Sequence, residues 1–270
     1  MTQTGNSSSS RRPKVTVLSE YIHSRLRDRD ILLMTHIVIG YPSLAESLRL
    51  VGTMVEAGVD LMELQIPFSE PIADGPTIAR ANQEALAAGS SVEGCFDFAK
   101  QVAGKHSIPF LFMSYFNVAF CRGTARFVEQ MAKAGLCAAI IPDLPHEEAT
   151  EYLAAARQYG IDPIFIFSPT TRPERMVKIA EVARGFVYCV ARQGVTGQET
   201  RFSNELESYL ARCRSATQLP LALGFGVRSP KDVAYLQGKV DIAVVGSETL
   251  RIVDEHGVDA AGEFVRSLRN

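Results

Sequence analysis

Eight short apolar runs constrain this chain more than any other feature: "LLMTHIVIG", "DLMELQIP", "IPFLFMSYF", "CAAIIPDLP", "DPIFIFSP", "GFVYCVAR", "LPLALGFGV" and "DIAVVGSE". Each is nearly continuous in hydrophobic residues rather than alternating, the pattern of strands covered on both faces, and such strands run parallel with helices outside them. The intervening segments supply those helices. "SLAESLRLVGTMVEAG", "TARFVEQMAKAG" and "EEATEYLAAARQYG" place apolar residues at i, i+3 and i+4. Gly135, Gly160 and Gly185, 25 residues apart, each close a helical pattern just before a strand, where a glycine can take the left-handed conformation. Eight strand–helix units predict a (β/α)8 TIM barrel, with "SEYIHSRLRDRD" as an extra N-terminal helix. An open doubly wound sheet is the alternative.

The 270 residues suffice for one large domain, predicted over 15–270, and the Ser-rich opening "MTQTGNSSSSRRPK" (1–14) reads as a disordered tail. A formal charge of −2 with interspersed signs leaves no basic stripe for nucleic acid. No run approaches the ~18 apolar residues of a membrane span, and the first residues lack the apolar stretch of a signal peptide. Five scattered cysteines without C-x-x-C, and five histidines without helical pair spacing, predict reduced thiols, no metal site and a cytoplasmic location.

In a barrel of this kind chemistry sits at the C-terminal ends of the strands. Polar residues collect there: Glu63 near the end of strand two, Asp74 in the loop beyond, Tyr115 and Asn117 after strand three, Asp143 after strand four, and Tyr188 in strand six before "RQGVTGQ". Strands seven and eight finish in "GFG" and "GS". Small residues after the last two strands suit a phosphate held by backbone N–H groups and a helix N-terminus, which implies a phosphorylated substrate.

The stretches "ELQIPFSEPIADGPTI", "RQGVTG", "GFGV" and "VGS", with "IGYPS", "SYFN" and "PDLP", resemble the α subunit of tryptophan synthase over about residues 19–270. The resemblance implies cleavage of indole-3-glycerol phosphate to indole and glyceraldehyde 3-phosphate, without metal or organic cofactor. It also implies an α2β2 heterotetramer in which indole passes to a β subunit that carries pyridoxal phosphate.

The implied reaction needs a proton on indole C3, then a base for the departing hydroxyl. One carboxyl can serve twice if an apolar setting raises its pKa; Glu63, flanked by Met62 and Leu64, suits that role. By resemblance Asp74 stabilises the cationic ring, Tyr188 places its hydroxyl near Glu63, and Thr196 of the sixth loop contacts Asp74 on closure. Gly197, Gly226, Gly246 and Ser247 are expected to bind the phosphate, His36 and Tyr115 to line the indole pocket, and Glu70 to meet the β subunit.

Plainer roles stand beside these. Asp74 can shape a turn, Tyr188 can fill the barrel, and Gly224 and Gly226 can serve packing. Several residues depart from the family pattern: His36 for an aromatic, Tyr41 for Asp, Gln65 for Gly, Glu70 for Asp, and Glu248 beside the phosphate glycine. His36, Tyr41 and Gln65 are expected at the pocket edge. A free-standing lyase, and a weakly catalytic barrel that activates a β subunit, are the alternative functions.

Overall fold

The computed structural model describes residues 18–191, 204–224 and 226–269. Its eight strands are β1 (Leu32–Val38), β2 (Leu61–Gln65), β3 (Phe110–Met113), β4 (Ala138–Ile140), β5 (Asp162–Phe167), β6 (Val187–Val190), β7 (Leu221–Gly224) and β8 (Ile242–Val245). They pair in sequence order, all parallel, and β8 returns to β1 to close the barrel.

Around it lie α1 (Leu18–Arg25), α2 (Leu44–Glu56), α3 (Pro76–Ala87), α4 (Val92–Lys105), α5 (Phe116–Arg122), α6 (Thr124–Lys133), α7 (Thr150–Tyr159), α8 (Pro173–Val182), α9 (Asn204–Ala216), α10 (Pro230–Leu236), α11 (Ser247–His256) and α12 (Val258–Ser267). Helices come in pairs after β2, β3 and β8, where the repeat in the sequence suggests one per strand. No helix among the described residues is long and apolar enough to cross a membrane.

Alternation along each strand divides the core in two. Leu33, Ile37, Met62, Leu64, Phe112 and Val245 point outward to the helices, whereas Leu32, Met34, Leu61, Leu111, Ile164 and Ala222 fill the barrel. Each large side chain so buried contributes about 1.5–3 kcal/mol. Leu18 and Ile22 of α1 join the inner cluster. The helix is tied to the barrel by Asp60, which is fully buried at the start of β2 and forms ion pairs with Arg25, Arg29 and Arg269. Gly135, Gly160 and Gly185 take φ of +82°, +69° and +72°, so the punctuation seen in the sequence has its expected backbone cause. With the N-terminal end stopped by α1, the polar inward positions lie toward the other end.

Candidate active site

Parallel pairing sets His36 of β1 directly beside Glu63 of β2. Both are buried, and His36 Nδ1 lies 3.2 Å from Glu63 Oε1. Met62 and Leu64 belong to the outer cluster, so they do not surround the carboxylate. The apolar setting expected for Glu63 is thus corrected: strand alternation removes its sequence neighbours and strand pairing brings an imidazole. Burial alone would lower the His36 pKa. The charge and hydrogen bond of Glu63, then Asp74 and Gln65, outweigh burial and hold it above the usual histidine value.

Two residues further along the same face, Gln65 donates through Nε2 to Asp74 Oδ2 at 2.7 Å. Tyr115 donates its hydroxyl to the same oxygen at 3.0 Å and accepts from the Ala73 N–H at 3.0 Å. Its ring stacks on Phe68, with centroids 5.0 Å apart. At the other side of the loop between β2 and α3 (66–75, loop two), the Phe68 N–H is capped by the buried Asn82 side chain at 2.9 Å. Asp74 is therefore held by Gln65 of β2 and by Tyr115, the N-cap of α5, rather than left to the turn. Burial raises its pKa, partly opposed by His36, Gln65 and Tyr115; two donors on one oxygen favour the carboxylate form. The hydroxyl of Tyr115 is engaged with loop two, a role that the expectation of an indole-pocket wall did not include.

Tyr188 reaches in from β6 and packs over Gly224 of β7; a Cβ on Gly224 would come within 2.4 Å of the Tyr188 oxygen. Gly224 thus makes room for the tyrosine. Burial first, then the charges of Glu63 and Asp74, push the phenol pKa well up, so Tyr188 remains a hydrogen-bond donor. Among the described residues, three buried polar atoms of this mouth, His36 Nε2, Glu63 Oε2 and Gln65 Oε1, have no hydrogen-bond partner. They are the polar valences that this mouth can offer a ligand.

Beside His36, strand β8 ends in Gly246, the N-cap of the ten-residue α11. A Cβ on Gly246 would meet Ile78 at 3.8 Å and His36 at 3.9 Å, which places the helix N-terminus at the same mouth. Ser247 is exposed there, and its first-turn N–H groups suit an anion. Gly226 has φ +50°, a conformation that favours glycine. Glu248, the anion that sits awkwardly beside a phosphate in the sequence, is buried and bonded by Arg251 at 3.1 and 2.5 Å, with Arg228 4.0 Å away. Its charge is answered from within the protein. Thr196 and Gly197 lie outside the described residues.

Tyr41 leaves the predicted pocket edge: it is buried with Val38, Ala81, Ala85 and Leu250, and its hydroxyl donates to Asp254 at 2.5 Å and accepts from Arg80 at 2.7 Å. It braces α3 against α11. Glu70 is exposed on loop two, and Asp143 accepts from the Phe116 N–H at 2.8 Å.

Two of these contacts had a signal in the sequence. Gln65 follows Glu63 by two, which puts both on one strand face, and Glu248 precedes Arg251 by three on a helix. The His36–Glu63 pair had none, because register between strands is not written in either strand.

Residues 24–269 match the family described as tryptophan synthase alpha chain. The chain belongs to the tryptophan synthase alpha chain family. The alpha chain of Syntrophotalea carbinolica is 60% identical over 253 residues, covering 94% of this chain and 100% of that protein. That of Desulforapulum autotrophicum is 58% identical, covering 93% and 100%. A crystal structure of tryptophan synthase from M. tuberculosis in its aminoacrylate-bound form superposes with a TM-score of 0.85 at 28% identity, covering 94% of this chain and 98% of that one. A tryptophan synthase alpha subunit from Legionella pneumophila gives 0.85 at 28% identity, covering 94% and 97%. As a tryptophan synthase alpha chain it is a carbon–carbon lyase that cleaves indole-3-glycerol phosphate, a reaction of tryptophan biosynthesis.

Proposed function

We propose that Glu63 carries the proton in this cleavage and Asp74 stabilises the charge that the proton creates. Glu63 Oε2 protonates indole C3, giving a cationic ring whose N–H is held by the Asp74 carboxylate. The resulting Glu63 carboxylate takes the hydroxyl proton of the adjacent glycerol carbon as the carbon–carbon bond breaks. The bond pair restores the aromatic ring, and C=O forms in glyceraldehyde 3-phosphate. Glu63 is again protonated. Tyr188 donates a hydrogen bond within the site, while Gly226, Gly246 and Ser247, joined by Gly197, bind the phosphate with α11 aimed at it.

One observation carries this assignment: Glu63 and Asp74 enter the same barrel mouth from successive parts of one strand–loop unit, each held by a separate polar partner. The carboxylates supply the acid, the base and the counter-charge, so the proposed route needs no organic cofactor of its own. Indole would pass to a β subunit in an α2β2 complex of the cytoplasm, where pyridoxal phosphate belongs to the partner. Glu70, with the 81% exposed Ile72 beside it on loop two, supports a partner at this face.

The experiment is indole release from indole-3-glycerol phosphate by the purified chain and by Glu63→Gln. The variant should lose ~10²–10⁴ in kcat with substrate binding nearly intact, because shape survives while the transferable proton does not. Near-normal turnover would remove Glu63 from the mechanism.

A further inference from the structure

Nothing in the proton transfer written above uses the imidazole that faces Glu63. Its surroundings are specific. Both side chains are nearly sealed from solvent, at 5% and 6% exposure, with Nδ1 and Oε1 3.2 Å apart. Glu63 and Gln65 face His36 from β2, Asp74 from the loop that follows, and Ile78 and Gly246 from α3 and the start of α11. Tyr188 approaches the two carboxylates from β6 with its proton in place. Glu248, the acid on α11, is taken up by Arg251. Among the described residues the charges that act on the ring are carboxylates, with Glu63 first and Asp74 second. A residue that merely walled an aromatic ring would need no nitrogen in this direction.

We propose that His36 is a positioning residue for proton transfer: by holding Glu63 Oε1 through Nδ1 it leaves Oε2 as the oxygen that exchanges the proton. This rests on Glu63 being the proton carrier. In the productive arrangement the imidazole is neutral, Nδ1–H donates to Oε1, and the transferable proton is on Oε2. The Oε2–H bond breaks as C–H forms at indole C3. The carboxylate stays oriented by Nδ1–H, and Oε2 recovers a proton from the glycerol hydroxyl as C=O forms and the carbon–carbon bond opens. The imidazole ends as it began. The facing carboxylates hold the His36 pKa above the usual histidine value despite its burial.

The test compares kcat against pH for the wild-type chain, His36→Phe and His36→Asn, alongside a histidine NMR titration of the wild type and Glu63→Gln. At neutral pH His36→Phe should lose ~10- to 10²-fold in kcat through misplacement of the carboxylate, with KM changed by less than about threefold. His36→Asn, which retains a donor but cannot titrate, should recover part of that rate. In both variants the basic limb of the kcat profile should move to lower pH, because the imidazole whose pKa the carboxylates raise is gone. The His36 resonance should titrate at lower pH in Glu63→Gln than in the wild type. Should His36→Phe fail to fold, the asparagine variant and the NMR comparison carry the test. A raised KM with kcat and the limb unmoved, a fall in rate without movement of the limb, or a His36 titration indifferent to Glu63→Gln would each overturn the proposal. Failure of the wild type to release indole would strike the lyase mechanism instead, and the NMR comparison would still decide whether the pair exists.

Discussion

Asp74 is the residue whose plain and chemical roles compete most directly, since an acid before Gly75-Pro76 can simply shape a turn. Its side chain does something else, because Gln65 and Tyr115 converge on Oδ2 and spend that oxygen on orientation rather than on nearby loop N–H groups. Asp74→Asn keeps the size and an acceptor but removes the charge proposed to face the indole cation. A kcat loss of ~10²–10³ with an unchanged melting temperature is the expected result. A lower melting temperature with normal kcat would return Asp74 to the turn. At this scale the sequence singles out the two acids that meet at the barrel mouth and says less about what surrounds them. Glu63 and Asp74 stand out by type, position and motif. The imidazole beside Glu63 comes from 27 residues earlier through strand pairing, and Tyr41 turned to Arg80 and Asp254 because partners on α3 and α11 outcompeted the pocket edge. Such choices depend on which segments meet in three dimensions.

Elements were more legible than contacts, because a strand buried on both faces and a helix buried on one leave different periodicities. All eight apolar runs became strands, and the three evenly spaced glycines took positive φ where helices give way to strands. The paired helices after β2, β3 and β8 were less visible, since α5 is only seven residues long and follows its strand without a clear cap. Among the elements, α11 makes the sharpest demand on function: its N-terminus lies beside His36, and its own acid at Glu248 is neutralised by Arg251 one turn on. Gly246 is a better probe of the phosphate site than Gly226. Its φ of −106° is negative and a Cβ would have 3.8 Å of room, whereas Gly226 at +50° would be strained by any substitution. Gly246→Asp should therefore fold and raise KM for indole-3-glycerol phosphate at least ~10-fold by setting an anion against the phosphate. Activity on a dephosphorylated analogue should fall much less. Equal losses on both substrates would place the phosphate elsewhere.

For the molecule as a whole, the question is how a surface can govern a buried proton transfer. Loop two supplies a short route: Glu70 and Ile72 are exposed, the Ala73 N–H is bonded to Tyr115, and the Asp74 carboxylate is bonded to Tyr115 and Gln65. Contact at Glu70 therefore acts four residues from Asp74, the carboxylate proposed to stabilise the cationic ring. Exposed Phe120 on α5, 65% accessible after the neighbouring strand β3, adds apolar surface at the same end of the barrel. A β subunit that binds this face should favour the arrangement in which Asp74 is fully oriented, and a gain of ~10–10² in kcat corresponds to a coupling of ~1.4–2.7 kcal/mol. Glu70 extends its charge one methylene beyond the Asp usual in the family, so a salt link to a basic residue of the partner would have altered geometry. Activation should thus be stronger with the β subunit of the same source than with one whose alpha chain carries "FSDP". Glu70→Asp should narrow that difference, and Glu70→Ala should reduce activation by both while leaving the isolated rate alone, since its side chain lies outside the buried network. Titration of each β subunit against steady-state indole production measures all three effects. If neither β subunit changed the rate while the isolated chain turned over rapidly, loop two would not be a receiving surface and the free-standing lyase would describe the chain better.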